Sequence, residues 1–141
     1  MTRQAPEGAA QATRAAIDTY LARLSQRDLD SAVQVFAESA EFNAPGSPAV
    51  PWSGSRTGRE GVMKFFTTLH EYLKPEEFTV THIVVEGEQG VIIGHLRDTV
   101  KATGKPLVTP FAAHVTVVDG KIARYHLFED THALHRAVTD D

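Results

Sequence analysis

The sequence contains no cysteine. Disulfides and thiolate chemistry are thereby excluded, and any metal would have to be held by histidine and carboxylate. Long apolar runs are missing as well. Residues 1–12 hold none that could serve as a signal peptide or cross a membrane, so no membrane partner is expected and the cytoplasm is the default location. Positive charge is not in surplus: the formal net charge of -4 argues against nucleic acid or an anionic lipid surface, since either favours a basic patch. Internal repeats and low-complexity tracts are lacking too. What remains, 141 residues of which 42% are hydrophobic and 23% charged, is the composition of one soluble globular domain large enough to bury a core. We assign residues 13–138 to that domain and residues 1–12 to a loose N-terminal arm.

The stretch 90–130 carries the strongest pattern. Residues 91–101 are rich in valine, isoleucine and threonine, and Thr103-Gly104 offers the positive-φ pair that a two-residue hairpin turn needs. Residues 107–118 form the next strand, Asp119-Gly120 a second turn, and residues 121–128 return beside it, ending at Glu129 and Asp130. Residues directly opposite one another share a face, so register follows by counting. Two-residue turns set Thr116 opposite Ala123, His114 opposite Tyr125, Ala112 opposite Leu127, His95 opposite Ala112 and Arg97 opposite Pro110. One face then carries Ile93, His95, Arg97, His114, Tyr125, Leu127 and Glu129. The other carries Leu96, Val100, Phe111, Val115, Val117, Ile122 and Phe128, with Arg124 and His126 among them.

A face with two histidines, an arginine, a tyrosine and a glutamate is the most specific chemical feature that pattern alone provides. Two readings of it are open: a functional cluster, or the wet face that an antiparallel sheet often presents. If the helices cover the opposite face, the titratable one lies in solvent or in a dimer interface.

Upstream, Ile17, Tyr20, Leu21 and Leu24 form a helical stripe from Thr13 onward. Asp28 is a good N-cap for a second helix with Leu29, Ala32, Val33 and Phe36 on its buried side. Glu41-Phe42-Asn43 is a short extended segment. Residues 44–55, with three prolines, two glycines and the only tryptophan, Trp52, read as an irregular loop. Thr57 and Glu60 fit a capping box for a third helix that buries Val62, Phe65, Phe66 and Leu69 and ends at Pro75. Residues 78–86 alternate as a strand, and Ala133, Leu134, Ala137 and Val138 suit a short closing helix on which His132 and His135 are exposed. The sum is an α+β plan: helices on one face of a curved antiparallel sheet, with a closed-ended small-molecule pocket between the layers.

Several segments resemble one family. Tyr20-Leu21-Ala22, Arg27-Asp28-Leu29-Asp30 and Phe36-Ala37-Glu38 are similar to the opening helices of SnoaL-like proteins, a group of the nuclear transport factor 2-like superfamily related to polyketide cyclases and ketosteroid isomerases. Pro51-Trp52-Ser53-Gly54 with Gly58-Arg59-Glu60-Gly61 resembles the family's loop and third helix. Asp119-Gly120-Lys121-Ile122 and Asp130-Thr131 resemble its last hairpin. The resemblance implies a cone-like curved sheet with helices on its concave face. It also implies cofactor-independent acid/base chemistry on a hydrophobic, oxygenated small molecule: isomerisation, cyclisation or epoxide opening.

Carried over residue by residue, Tyr20 matches an oxyanion-hole tyrosine and Asn43 a water-holding asparagine, while His95, Arg97 and Leu127 match sheet positions that hold an arginine flanked by carboxylates. The two usual places of a general-base aspartate are Ala44 and Leu127. His114 is therefore the expected acid/base, because imidazole exchanges protons near neutral pH. Tyr20, Arg97 and His95 are expected to assist it, with Asn43, Trp52, Phe66, Tyr125, Leu127 and Glu129 contacting substrate. No metal or other cofactor is expected. A pocket that binds without turnover and a homodimeric assembly module are the alternatives from other classes.

Overall fold

The computed structural model describes residues 5–139. Among them the chain forms four helices and one six-stranded sheet: α1 (Ala9–Ser25), α2 (Leu29–Val33), β1 (Phe36–Ala44), β2 (Gly54–Thr57), α3 (Gly58–Tyr72), β3 (Leu73–Glu86), β4 (Gln89–Val100), β5 (Pro106–Val118), β6 (Lys121–Glu129) and α4 (Thr131–Val138). The strands lie in the order β2-β1-β6-β5-β4-β3. All neighbours are antiparallel except β1, which runs parallel to β6. The sheet is curved and unclosed, and the helices pack on its concave face, giving the expected α+β cone.

Helix α1 buries Thr13, Ala16, Ile17 and Tyr20 as its periodicity requires. It starts at Ala9, inside the segment assigned to the arm; residues 1–4 of that segment lie outside the described residues. Gly90 lets the helix approach, since a Cβ there would stand 2.5 Å from Ile17 Cδ1. Asp28 caps α2 by accepting from the Ser31 N–H, and α2 ends at Val33, so Phe36 opens β1 instead of completing a helical stripe. The capping box at α3 is not made: Thr57 is extended and its side chain caps nothing. Helix α3 stops at Tyr72, and Pro75 lies within β3, an edge strand where its missing N–H costs no ladder bond on the open side. The loop expected over 44–55 contains the start of β2, paired with β1 from Ala44↔Gly54 to Glu41↔Thr57. Among the described residues no helix is long and apolar enough to cross a membrane.

Two corrections to the register decide where the chemistry lies. The β4–β5 hairpin closes with Val100 N–H donating to Lys105 O and Gly104 N–H to Val100 O, a four-residue loop in place of two. His95 therefore faces Pro110 and Arg97 faces Val108. A shift of two keeps every side chain on its expected face. The β5–β6 hairpin does turn at Asp119-Gly120, with Val118↔Lys121 and Val117↔Ile122, but a bulge then inserts Ala123 and the next pair is Thr116↔Arg124. A shift of one inverts all that follows. His114 lies opposite His126, not Tyr125, and Tyr125, Leu127 and Glu129 lie opposite Val115, Ala113 and Phe111.

The sheet thus has a concave face of Ile92, Leu96, Asp98, Val100, Leu107, Thr109, Phe111, Ala113, Val115, Tyr125, Leu127 and Glu129. Its convex face carries Ile93, His95, Arg97, Val108, Ala112, His114, Arg124, His126 and Phe128. Phe128, expected on the same face as Phe111 and Val115, stands on the convex side and is 52% exposed, and Arg124 and His126 leave the apolar face with it.

Candidate functional site

The closed end of the cone is aromatic. Parallel pairing sets Phe42 of β1 beside Tyr125 of β6, their rings stacked at 4.9 Å and 2°. Phe65 of α3 lies 4.6 Å from Phe42, and Phe36 packs edge-on to Tyr20 at 5.4 Å. Tyr20 of α1 reaches across to donate its hydroxyl proton to Tyr125 Oη at 3.5 Å. Burial raises both phenols, Tyr20 well above the usual value and Tyr125 to about 12; the Glu129 charge adds to the rise at Tyr125. Both hydroxyls hence stay protonated. Tyr125 accepts from Tyr20 and keeps its own proton for an outside acceptor, since among the described residues it donates to none.

Two carboxyl groups share this face. Glu129 is the second concave residue after Tyr125 along β6, and Asp98 stands on β4, two strands away across β5. Burial is the main cause that raises Asp98 to about 6, with the Glu76 charge adding, and burial followed by the Asp98 charge raises Glu129 to about 7. Neither carboxyl group makes a hydrogen bond or salt bridge among the described residues. No fully buried side-chain nitrogen or oxygen there lacks a partner, so these oxygens open onto accessible space instead of being sealed in the core. The concave neighbours of these two groups along their own strands are the half-buried Leu96 of β4 and Leu127 of β6.

Of the residues expected at the site, Tyr20, Tyr125, Leu127 and Glu129 meet on the concave side, and Trp52, 2% exposed, lies 6.3 Å from Tyr72 at the end of α3. Phe66 packs against Phe65 at 5.1 Å. The convex placement separates the rest from them. His114 Nε2 pairs with Gln89 Oε1 at 2.8 Å, and His95 Nε2 with Glu77 Oε1 at 3.2 Å. Arg97 is exposed opposite Glu77, with the sheet between it and Glu129. Asn43 is also convex, its Nδ2 3.4 Å from His126 Nδ1 and its Oδ1 accepting from Ser55 Oγ. Among the described residues no three histidine or carboxylate side chains gather to hold a metal. His135 is not simply exposed, since its Nδ1 lies 2.7 Å from Ser47 Oγ and ties α4 to the loop before β2.

Asp98 is the residue that pattern reading passed over. Its signal was present: Leu96, Asp98 and Val100 form an alternating inward stripe whose only polar member is a carboxylate. A sheet rolled around an aromatic floor, with carboxyl and hydroxyl groups on its concave face, defines a cone-shaped α+β protein. The SnoaL-like domain matches residues 17–125, and the chain belongs to that family. A nuclear transport factor 2-like protein from Burkholderia xenovorans LB400 superposes with a TM-score of 0.83 at 22% identity, over 92% of this chain and 98% of that one. TerC, crystallised with polyporic acid, gives 0.78 at 19% over 90% and 98%, and a provisionally named polyketide cyclase from Xanthomonas campestris pv. campestris gives 0.74 at 18% over 92% and 98%. No functionally curated protein matches the chain.

Proposed function

We propose that this protein is a cofactor-independent acid/base enzyme for a hydrophobic, oxygenated small molecule. The observation that carries the reading is the pair Asp98 and Glu129: two carboxyl groups on the concave face, without a hydrogen-bond or salt-bridge partner among the described residues and raised toward neutrality by burial, with the Glu76 charge adding at Asp98 and the Asp98 charge at Glu129. Asp98, the more acidic of the two, serves as base and removes a proton from carbon next to a carbonyl. Tyr125 donates to the carbonyl oxygen as it gains negative charge, and Tyr20 behind it strengthens that donor through their hydroxyl contact. Glu129, still protonated near neutral pH, returns a proton at a second carbon, and the carboxyl pair is reset by proton exchange. Isomerisation of a ketone and aldol-type cyclisation both fit this set. The names borne by the similar structures, a provisionally named polyketide cyclase and a protein crystallised with polyporic acid, support the same reading.

A second reading has its own support. Ala44 and Leu127 occupy the places where relatives keep a general-base aspartate, which favours a pocket that binds without turnover. Screening polycyclic ketones, quinones and lactones by thermal shift, with product analysis by mass spectrometry, separates the two. Turnover by wild type that falls at least about a hundredfold in Asp98→Asn supports catalysis. Stabilisation of both proteins with no product supports binding alone. We further propose a homodimer through the convex face, where Ile93, Val108 and Phe128 are exposed.

A further inference from the structure

On the convex side, strands β2, β1 and β6 border a cavity of about 250 Å³ that the concave site does not use. Register decides its lining. Ser55 stands beside Asn43 and Asn43 beside His126 in one row across the three strands, while Thr57, Glu41 and Arg124 make the next row, two residues along. Residues two apart on a strand share a face, so both rows project to the same side. The intervening Phe42 and Tyr125, whose rings stack on the concave side, close the cavity from behind.

The first row holds itself in place. The Ser55 hydroxyl donates to Asn43 Oδ1 at 3.2 Å, which turns the amide nitrogen the other way, where Nδ2 lies 3.4 Å from His126 Nδ1. With Nδ1 receiving that hydrogen, the imidazole carries its own on Nε2. The ring is also stacked on Phe128 at 4.3 Å and 25°. His126 is therefore held in tautomer and in orientation, and its Nε2–H has no acceptor among the described residues. A donor fixed in this way binds without first losing rotamer freedom.

The second row leaves opposite charges apart. Glu41 and Arg124 are Cα partners, yet they form no ion pair, and among the described residues neither side chain makes a hydrogen bond. The Thr57 hydroxyl is likewise free. These charges select among ligands. A simple anion drawn to Arg124 and His126 meets the Glu41 carboxylate, and a simple cation drawn to Glu41 meets Arg124. A molecule with both charges on a short body satisfies the two together, its carboxylate taking the guanidinium fork and the His126 Nε2–H, its ammonium the Glu41 carboxylate. The cavity has the room of about eight water molecules at roughly 30 Å³ each, which suits a body of amino-acid size.

We propose that this convex cavity binds a small zwitterion of the amino-acid class, its carboxylate on Arg124 and His126 and its ammonium on Glu41. The site is separate from the concave carboxyl pair and does not rest on the reading of that face.

Three probes on one five-carbon chain test it: norvaline carries both charges, pentanoate only the negative one and pentylamine only the positive one. Each is titrated near neutral pH into wild type, Glu41→Gln and Arg124→Gln. Binding is read by NMR from the His126 ring signals, identified by their loss in His126→Gln. Norvaline should move these signals saturably, with pentanoate and pentylamine weaker by about tenfold, the weight of one charge-assisted contact. Removing one charge should then erase one preference: Glu41→Gln binds pentanoate about as well as norvaline, and Arg124→Gln does the same for pentylamine. Both side chains are exposed, so the two variants should melt with wild type and a lost preference cannot come from unfolding. His126 signals that norvaline leaves unmoved, or a preference that survives both substitutions, overturn the proposal. Tighter binding of pentanoate than of norvaline by wild type overturns it as well, in favour of a plain anion site.

Discussion

Asp98 and Glu129 hold their protons more tightly in the folded chain than in water, at about 6 and about 7 against ordinary values of 3.8 and 4.5. The consequence for stability has a definite sign. Between about pH 4 and pH 7 the folded state keeps protons that the unfolded chain has released, so stability from these groups falls as pH rises through that window. Wild type should melt highest near pH 5 and lose a few degrees by pH 8. Asp98→Asn and Glu129→Gln should each flatten the slope and gain about 2 kcal/mol over wild type at pH 8, measured by urea unfolding at both pH values. A wild-type profile that rises from pH 5 to pH 8 would sink the assignment. On the proposed mechanism the same pair sets the pH range: with Asp98 ionised and Glu129 protonated, turnover should peak between about pH 6 and pH 7.

At the scale of elements, the bulge at Ala123 has the largest effect per residue. It turns β6 over, sending Tyr125, Leu127 and Glu129 inward and His126 and Phe128 outward, while the longer β4–β5 loop shifts register by two and turns nothing over. The two hairpins, the faces of β4 and β5 and the α+β plan were legible in the sequence because they rest on local signals: Asp119-Gly120, the alternation through β4 and β5, the stripes of α1 and α3. The bulge was not. Nothing in Ala123-Arg124-Tyr125 marks an extra residue; the inversion follows from packing, since Tyr125 gains Phe42, Phe36 and Tyr20 as neighbours by facing inward. Nor does local pattern announce β1 as a parallel partner of β6, because that pairing joins residues some eighty positions apart.

The β3–β4 pairing carries a similar constraint at Gly94. A Cβ there would meet Thr79 O at 2.0 Å and the Phe111 ring at 2.9 Å, and that ring stacks on Phe78 at 5.0 Å. Gly94→Ala should therefore cost about 2–4 kcal/mol, far above the sub-kilocalorie change typical of an exposed strand site. Chemical denaturation decides it; a loss below about 1 kcal/mol would mean that β3 moves aside freely.

For the whole molecule, the division into two faces separates the proposed site from the proposed interface. The concave face gathers the aromatic floor, the hydroxyls and the carboxyls, and the histidines that drew attention by pattern stand on the other side of the same strands. That convex side is polar at His95, His114 and His126, yet Val108 and Phe128 are 61% and 52% exposed, and His126 stacks on Phe128 at 4.3 Å. An apolar strip with a polar surround is the composition of an interface, and a two-fold axis through the sheet would bury it against its own copy. Phe128→Glu places charges of one sign face to face in such a dimer and leaves the concave face untouched. Sedimentation should show wild type at twice the chain mass and Phe128→Glu at the chain mass. A wild type that sediments as a monomer at all concentrations would remove the dimer and leave the convex histidines as a solvated face, with the concave chamber unchanged.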